Sequence, residues 1–123
     1  MADALAYAAA GLLLLWGTAH VIPTRQVVAG FGEIVRDNRL VLMMEWVAEA
    51  LAMWFVAVLV AAVTTAGDGE AVVGLVYRLC AGFLVVLGAW TAATGARTPV
   101  VWFKACPAVM AGGAALLVAA SLV

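Results

Sequence analysis

The sequence predicts an all-α integral membrane protein, a four-helix bundle with a short interfacial amphipathic helix between its first and second spans. Three observations carry this. Of the 123 residues 68% are hydrophobic and 11% charged, and the mean hydropathy is +1.19, far above a soluble domain, whose apolar share is nearer a half. The apolar residues fall into four stretches, about Ala4 to Ile22, Leu40 to Thr65, Ala71 to Thr94 and Ala105 to Val123, each near the roughly 20 residues that a bilayer crossing needs. The spacers between them are too short to fold separately, which predicts one transmembrane domain over residues 1–123.

The first stretch carries Asp3 and no basic residue before its apolar run. It therefore lacks the positive start of a secretory signal and is expected to remain as a first transmembrane helix. In the first spacer, "PTRQVVAGFGEIVRDNR", residues Val27, Val28, Phe31, Ile34 and Val35 recur at helical spacing, which predicts the amphipathic helix along the interface. Arg25, Arg36 and Arg39 lie in this spacer and Arg97 with Lys104 in the third, whereas the second holds only the acids Asp68 and Glu70. By the positive-inside rule both termini face the non-cytoplasmic side, in a bacterial-type inner or plasma membrane. Trp102, Phe103 and Lys104 read as an interfacial anchor, and Pro107 suits the first turn of the fourth helix. Small residues Gly74, Ala81, Gly82, Gly88 and Ala89 in the third span, with Ala108, Ala111, Gly112 and Ala115 in the fourth, are where helices are expected to touch. Lipid supplies no hydrophobic reason for helices to associate, so close backbone approach must.

With six basic and seven acidic side chains the net charge is −1, which gives no basis for a nucleic-acid partner. The partners expected are the lipid bilayer, a lipophilic small molecule and a second copy of the chain. Cys80 and Cys106 fall near opposite ends of neighbouring spans and are expected as free thiols.

Function is carried by polar residues inside the oil. Glu45 and Glu49 are four apart, hence on one face of the second span, together with Ala48 and Ala52, which suggests that the face looks into the bundle. A carboxylate inside a bilayer costs at least a few kcal/mol unless it is paired, neutral or useful. His20, the one histidine, enters from the same side as Glu45, and Arg78 enters from the other side, beside Gly74, Ala81 and Gly82. These four residues predict a central polar cluster, walled by Trp16, Trp46, Trp54, Tyr77 and Trp90. A structural ion pair needs one acid, and here there are two and an imidazole, a side chain that can both give and take a proton. In the chemistry this supports, Glu49 or Glu45 gives or takes a proton, His20 is the partner and Arg78 stabilises charge. No ligand spacing for a metal is present, and the cofactor is unknown.

The stretches "GLLLLWGTAHVIPT", "GFGEI" and "MEWVAEALAMW" resemble the small DoxX-like membrane proteins, in which a glycine-containing first helix leads to a second helix bearing a glutamate. Here His20 replaces the lysine or similar residue that the family carries at the end of the first helix. The resemblance implies a four-span membrane subunit, some relatives being linked to quinone or thiol redox systems. Three functions stand side by side: acid-base chemistry on a lipophilic ligand (isomerisation, cyclisation or quinone handling), a proton-coupled transporter assembled from several copies, and an accessory subunit of a larger complex.

Overall fold

The computed structural model describes residues 1–67 and 69–123; Asp68 lies outside the described residues. Helix α1 runs over Ala2–Val21, α2 over Thr24–Ala29, α3 over Arg36–Ala66, α4 over Glu70–Ala93 and α5 over Val101–Ala120, with a 3-10 turn at Gly95–Arg97. Four of these, all except α2, are long and apolar enough to cross a membrane, and no strand forms among the described residues. The successive long helices alternate in direction. One end of the bundle therefore holds both termini, and the other holds α2 and the 3-10 turn.

The helices meet along narrow stripes. On α1 the stripe is Ala6, Ala9, Ala10, Leu13 and Gly17, and on α3 it is Ala50, Met53, Val56, Ala57 and Val60. Steps of three and four residues are those that keep one helix face toward a neighbour. Helix α1 packs closely on α3 and on α5, and α5 on α4, whereas α3 and α4 touch only lightly although they are consecutive. A cleft of about 220 Å³ remains between them, lined by Ala52, Phe55, Val56, Leu79, Cys80 and Phe83.

Two glycines set the spacing. A Cβ at Gly17 would stand 2.7 Å from Trp54 Cδ1 and 3.2 Å from the Ala50 carbonyl, so the bare backbone of α1 is what lets α3 lie against it. A Cβ at Gly113 would meet Leu84 at 3.3 Å and Leu13 at 3.4 Å, which marks where α1, α4 and α5 converge. Of the small residues expected at contacts, Gly74, Ala81 and Gly88 are buried, whereas Gly82, Ala89, Ala108, Ala111 and Ala115 are exposed. The buried stripe on α5 is instead Cys106, Met110, Gly113, Ala114, Leu117 and Ala120. Composition marks small residues, but which stripe faces inward depends on how each helix is rotated.

Two local expectations are corrected. The spacer helix stops at Ala29, short of Phe31, Ile34 and Val35, because Gly30 and Gly32 interrupt it and Gly32 takes the left-handed φ of +72° that a side chain disfavours. Pro107 stands inside α5 and not in its first turn, since α5 already begins at Val101. It leaves the Phe103 carbonyl without its helical donor.

Candidate functional site

The end of the bundle opposite the termini holds the polar residues. Helix α3 has 31 residues, about 46 Å of helix against a hydrocarbon core of about 30 Å, so its first turns overhang. Glu49 lies about 26 Å from the far end of α3, and His20 about 27 Å from the start of α1. The two therefore meet at one edge of the apolar span and not at its centre, where the cluster was expected.

His20 Nε2 stands 3.5 Å from Glu49 Oε2 with the His20 side chain 8% and the Glu49 side chain 22% exposed. The distance suits an ion pair, but Nε2 makes no aligned hydrogen bond. The other carboxylate oxygen, Oε1, accepts from the Cys106 thiol at 3.5 Å, and Trp16 and Thr91 face the same thiol. The Trp16 indole N–H is buried without a hydrogen bond of ordinary geometry; a thiol sulfur is a weak acceptor in any case. Three helices thus contribute one side chain each to a chain of contacts, Cys106 from α5 to Glu49 from α3 to His20 from α1.

Trp46 fixes the imidazole. Its ring stacks on His20 with centroids 3.9 Å apart and planes 13° from parallel, and its indole N–H donates to the His20 backbone carbonyl at 2.8 Å. That carbonyl lies in the last turn of α1, where helical carbonyls lack intrahelical donors. Phe103 tilts against Trp46, with centroids 5.5 Å apart. An imidazole stacked on Trp46, with a carboxylate 3.5 Å from one nitrogen, has little freedom to tilt out of that plane, which presents the second nitrogen in a restricted set of directions. Nδ1 makes no hydrogen bond among the described residues and is not sealed.

His20, Cys106, Trp16 and Trp46 share a cavity of about 630 Å³ whose other walls are residues of the segments 23–31 and 98–103. This is the size range of small-molecule sites, which are mostly apolar with a few polar groups. Glu49 stands behind His20 and Cys106 and does not line it.

No family model, curated protein or solved structure matches the chain.

Of the residues expected at the site, the structure brings together His20, Glu49, Trp16 and Trp46, and it separates the rest. Glu45 is exposed; it lies one turn nearer the overhanging end of α3, where α1 has already stopped at Val21 and nothing covers it. Arg78 is also exposed, and its Nε donates to the Gly74 carbonyl at 3.0 Å. Side chains lean toward a helix's N-terminus, which for α4 is the end away from Glu49, so the guanidinium is carried off and pairs with no acid among the described residues. Trp54 packs on Gly17 and donates to the Leu14 carbonyl at 3.2 Å. Tyr77 is 2% exposed but bonds Thr64 at 2.7 Å near the termini end, and Trp90 is 68% exposed, toward lipid.

Cys106 was missed as a site residue. The signal was available in depth: it lies five residues into α5 from the same end, about 8 Å, the level of His20 and Glu49. Both cysteines are free, as expected. Cys106, Glu49 and His20 contact one another in series and do not converge on a point, and among the described residues no three His, Cys, Asp or Glu side chains are grouped to hold a metal.

Proposed function

We propose that the chain is an integral membrane protein, both termini on the non-cytoplasmic side, that binds a lipophilic small molecule in the 630 Å³ cavity and exchanges a proton with it through His20. The observation that carries this reading is the contact of His20 Nε2 with Glu49 at 3.5 Å, in an imidazole that also lines the cavity. Glu49, 3.5 Å from one ring nitrogen, stabilises the imidazolium by its charge, which leaves the other nitrogen to take a proton from the ligand and return it. A proton removed at one carbon and returned at another is an isomerisation; returned during ring closure, it completes a cyclisation. Trp16, Trp46 and Phe103 supply a wall that excludes water and accepts a flat apolar body. Arg78 and Glu45 have no part in this mechanism. The likeness to DoxX-like proteins rests on the residues quoted for it and adds nothing to the argument from geometry.

The orientation follows from Arg25, Arg36, Arg39, Arg97 and Lys104, all at the cavity end, against Asp3 and Glu70 at the other. The cavity then opens at the cytoplasmic leaflet.

The test is solvent exchange. Protein purified from membranes is analysed by mass spectrometry for a co-purifying lipophile, and the loaded protein is incubated in deuterium oxide. Wild type is expected to place deuterium on carbon in the ligand. His20→Gln should abolish this, and Glu49→Gln should slow it by about 10²-fold while the ligand stays bound, the usual scale for general acid-base catalysis. Deuterium incorporation that is the same in wild type and His20→Gln removes the proton-transfer reading, and the absence of any saturable lipophile removes the site.

A further inference from the structure

No Arg, Lys, Asp or Glu side chain lines the cavity, and His20, backed by Glu49, is the one basic group on its wall. This is notable because five cations, Arg25, Arg36, Arg39, Arg97 and Lys104, belong to the same end of the molecule, and several are immediate chain neighbours of lining residues. Arg25 precedes Gln26, Arg97 precedes Thr98, and Lys104 follows Phe103, yet in each case the uncharged neighbour lines the cavity and the cation does not. A site for a phosphate or carboxylate head group would turn at least one of these inward, since charge-assisted bonds from Arg or Lys are the ordinary means of holding such groups. The nearest charge behind the wall is instead the Glu49 carboxylate, in contact with both His20 and Cys106, which repels an anion.

The mouth has its own character. Phe31 and Trp102 both line the cavity, and they are 54% and 72% exposed. Val101 beside Trp102 is 71% exposed, and Ile22 beside Pro23 is 78% exposed. Large apolar side chains on the rim of a water-facing mouth would be unfavourable, whereas Trp and its apolar neighbours are at home at the depth of lipid head groups and upper acyl chains.

We infer that the cavity is loaded sideways from the surrounding lipid leaflet and takes an uncharged amphiphile. Its hydroxyl or carbonyl head meets His20, Gln26 and Thr98, and its apolar body lies along Trp16, Phe31 and Trp102. Fatty acids and anionic lipids are excluded. This rests on reading the cavity as a ligand site, and it adds the chemical class and the direction of entry.

The test uses two probes that differ in head group alone, parinaryl alcohol and parinaric acid, each incorporated into phosphatidylcholine vesicles containing the reconstituted protein. The conjugated chain accepts excitation energy from tryptophan, and Trp16, Trp46 and Trp102 line the cavity. At about pH 9, where a carboxyl is ionised, the alcohol is expected to give saturable transfer at least 10-fold tighter than the acid. Gln26 is exposed, and Gln26→Arg should reverse the preference by placing a cation on the lining. Ala19→Trp fills the cavity and should leave only the unsaturable bilayer background. An acid that binds wild type as tightly as the alcohol overturns the inference while leaving the cavity a ligand site, and so does a preference unmoved by Gln26→Arg. Saturable transfer from neither probe overturns the inference and the underlying reading together.

Discussion

Replacing Gly17 by alanine adds one methyl group where, among the described glycines, a new Cβ meets the closest neighbours. The added Cβ would stand 2.7 Å from Trp54 Cδ1, 2.8 Å from Trp54 Nε1 and 3.2 Å from the Ala50 carbonyl. Carbon atoms rest at about 3.5 to 4.0 Å, so the indole must withdraw by about 0.8 Å. It cannot do so freely, because its N–H is bonded to the Leu14 carbonyl at 3.2 Å. The second wall is backbone and moves only with α3. Either the bond is lost or α1 and α3 separate along the stripe from Ala6 to Gly17, and overpacking of this kind costs about 1–3 kcal/mol. That is about a 5- to 150-fold shift in the folding equilibrium, less a fraction of a kcal/mol returned because alanine is the better helix former. The assay is reversible unfolding in mixed micelles, or steric trapping in bilayers, followed by tryptophan fluorescence. Gly82→Ala is the control, because a Cβ there meets nothing within 4 Å, and it should be neutral or slightly stabilising. Trp54→Leu combined with Gly17→Ala should recover part of the loss, since the obstructing indole edge is gone. Equal stability of Gly17→Ala and Gly82→Ala would refute the reasoning, because the two differ only in what surrounds the new methyl.

Three other outcomes are expected. Arg78→Gln should retain ligand binding and proton exchange within about 2-fold, because the guanidinium is bonded to its own helix at Gly74 and not to Glu49; a large loss measured in the deuterium assay would return Arg78 to the site. Tyr77→Phe should cost about 0.6 kcal/mol in the same unfolding assay, the usual worth of an interhelical hydrogen bond in a membrane. The Thr64 hydroxyl already donates to the Val60 carbonyl at 2.6 Å, so the phenol is the donor of the 2.7 Å bond that is lost. Cysteines placed at Ala2 and Val123 should react with an impermeant maleimide added outside intact cells, and labelling only after the cells are opened would invert the orientation.

The division between what the chain's order of residues determined and what packing decided can be read from particular positions. Four spans, their alternation and the entry of His20 from the same end as Glu45 were legible, because a bilayer imposes a length on each apolar stretch and topology then sets the end from which each residue enters. The end was legible; depth and rotation were not, since the cluster was expected at the centre of the bundle with Glu45 beside His20, whereas His20 meets Glu49 at one edge of the apolar span. Glu45 and Glu49 share a helix face in the sequence, but only Glu49 is covered, since whether a neighbour extends that far depends on α1 ending at Val21. Arg78 has small neighbours and looked destined for the interior, yet α4 turns that residue outward and its side chain leans toward the opposite end. Cys106 carried no motif, and it joins Glu49 only because α1 packs against both α3 and α5, which brings side chains 57 positions apart to 3.5 Å. The pattern of apolar residues specifies that a helix is buried in lipid, and it says little about which side meets protein when both environments are apolar. In a membrane that choice is made by shape, at places such as Gly17 against Trp54 and Gly113 between Leu13 and Leu84, and shape exists only once the helices are assembled.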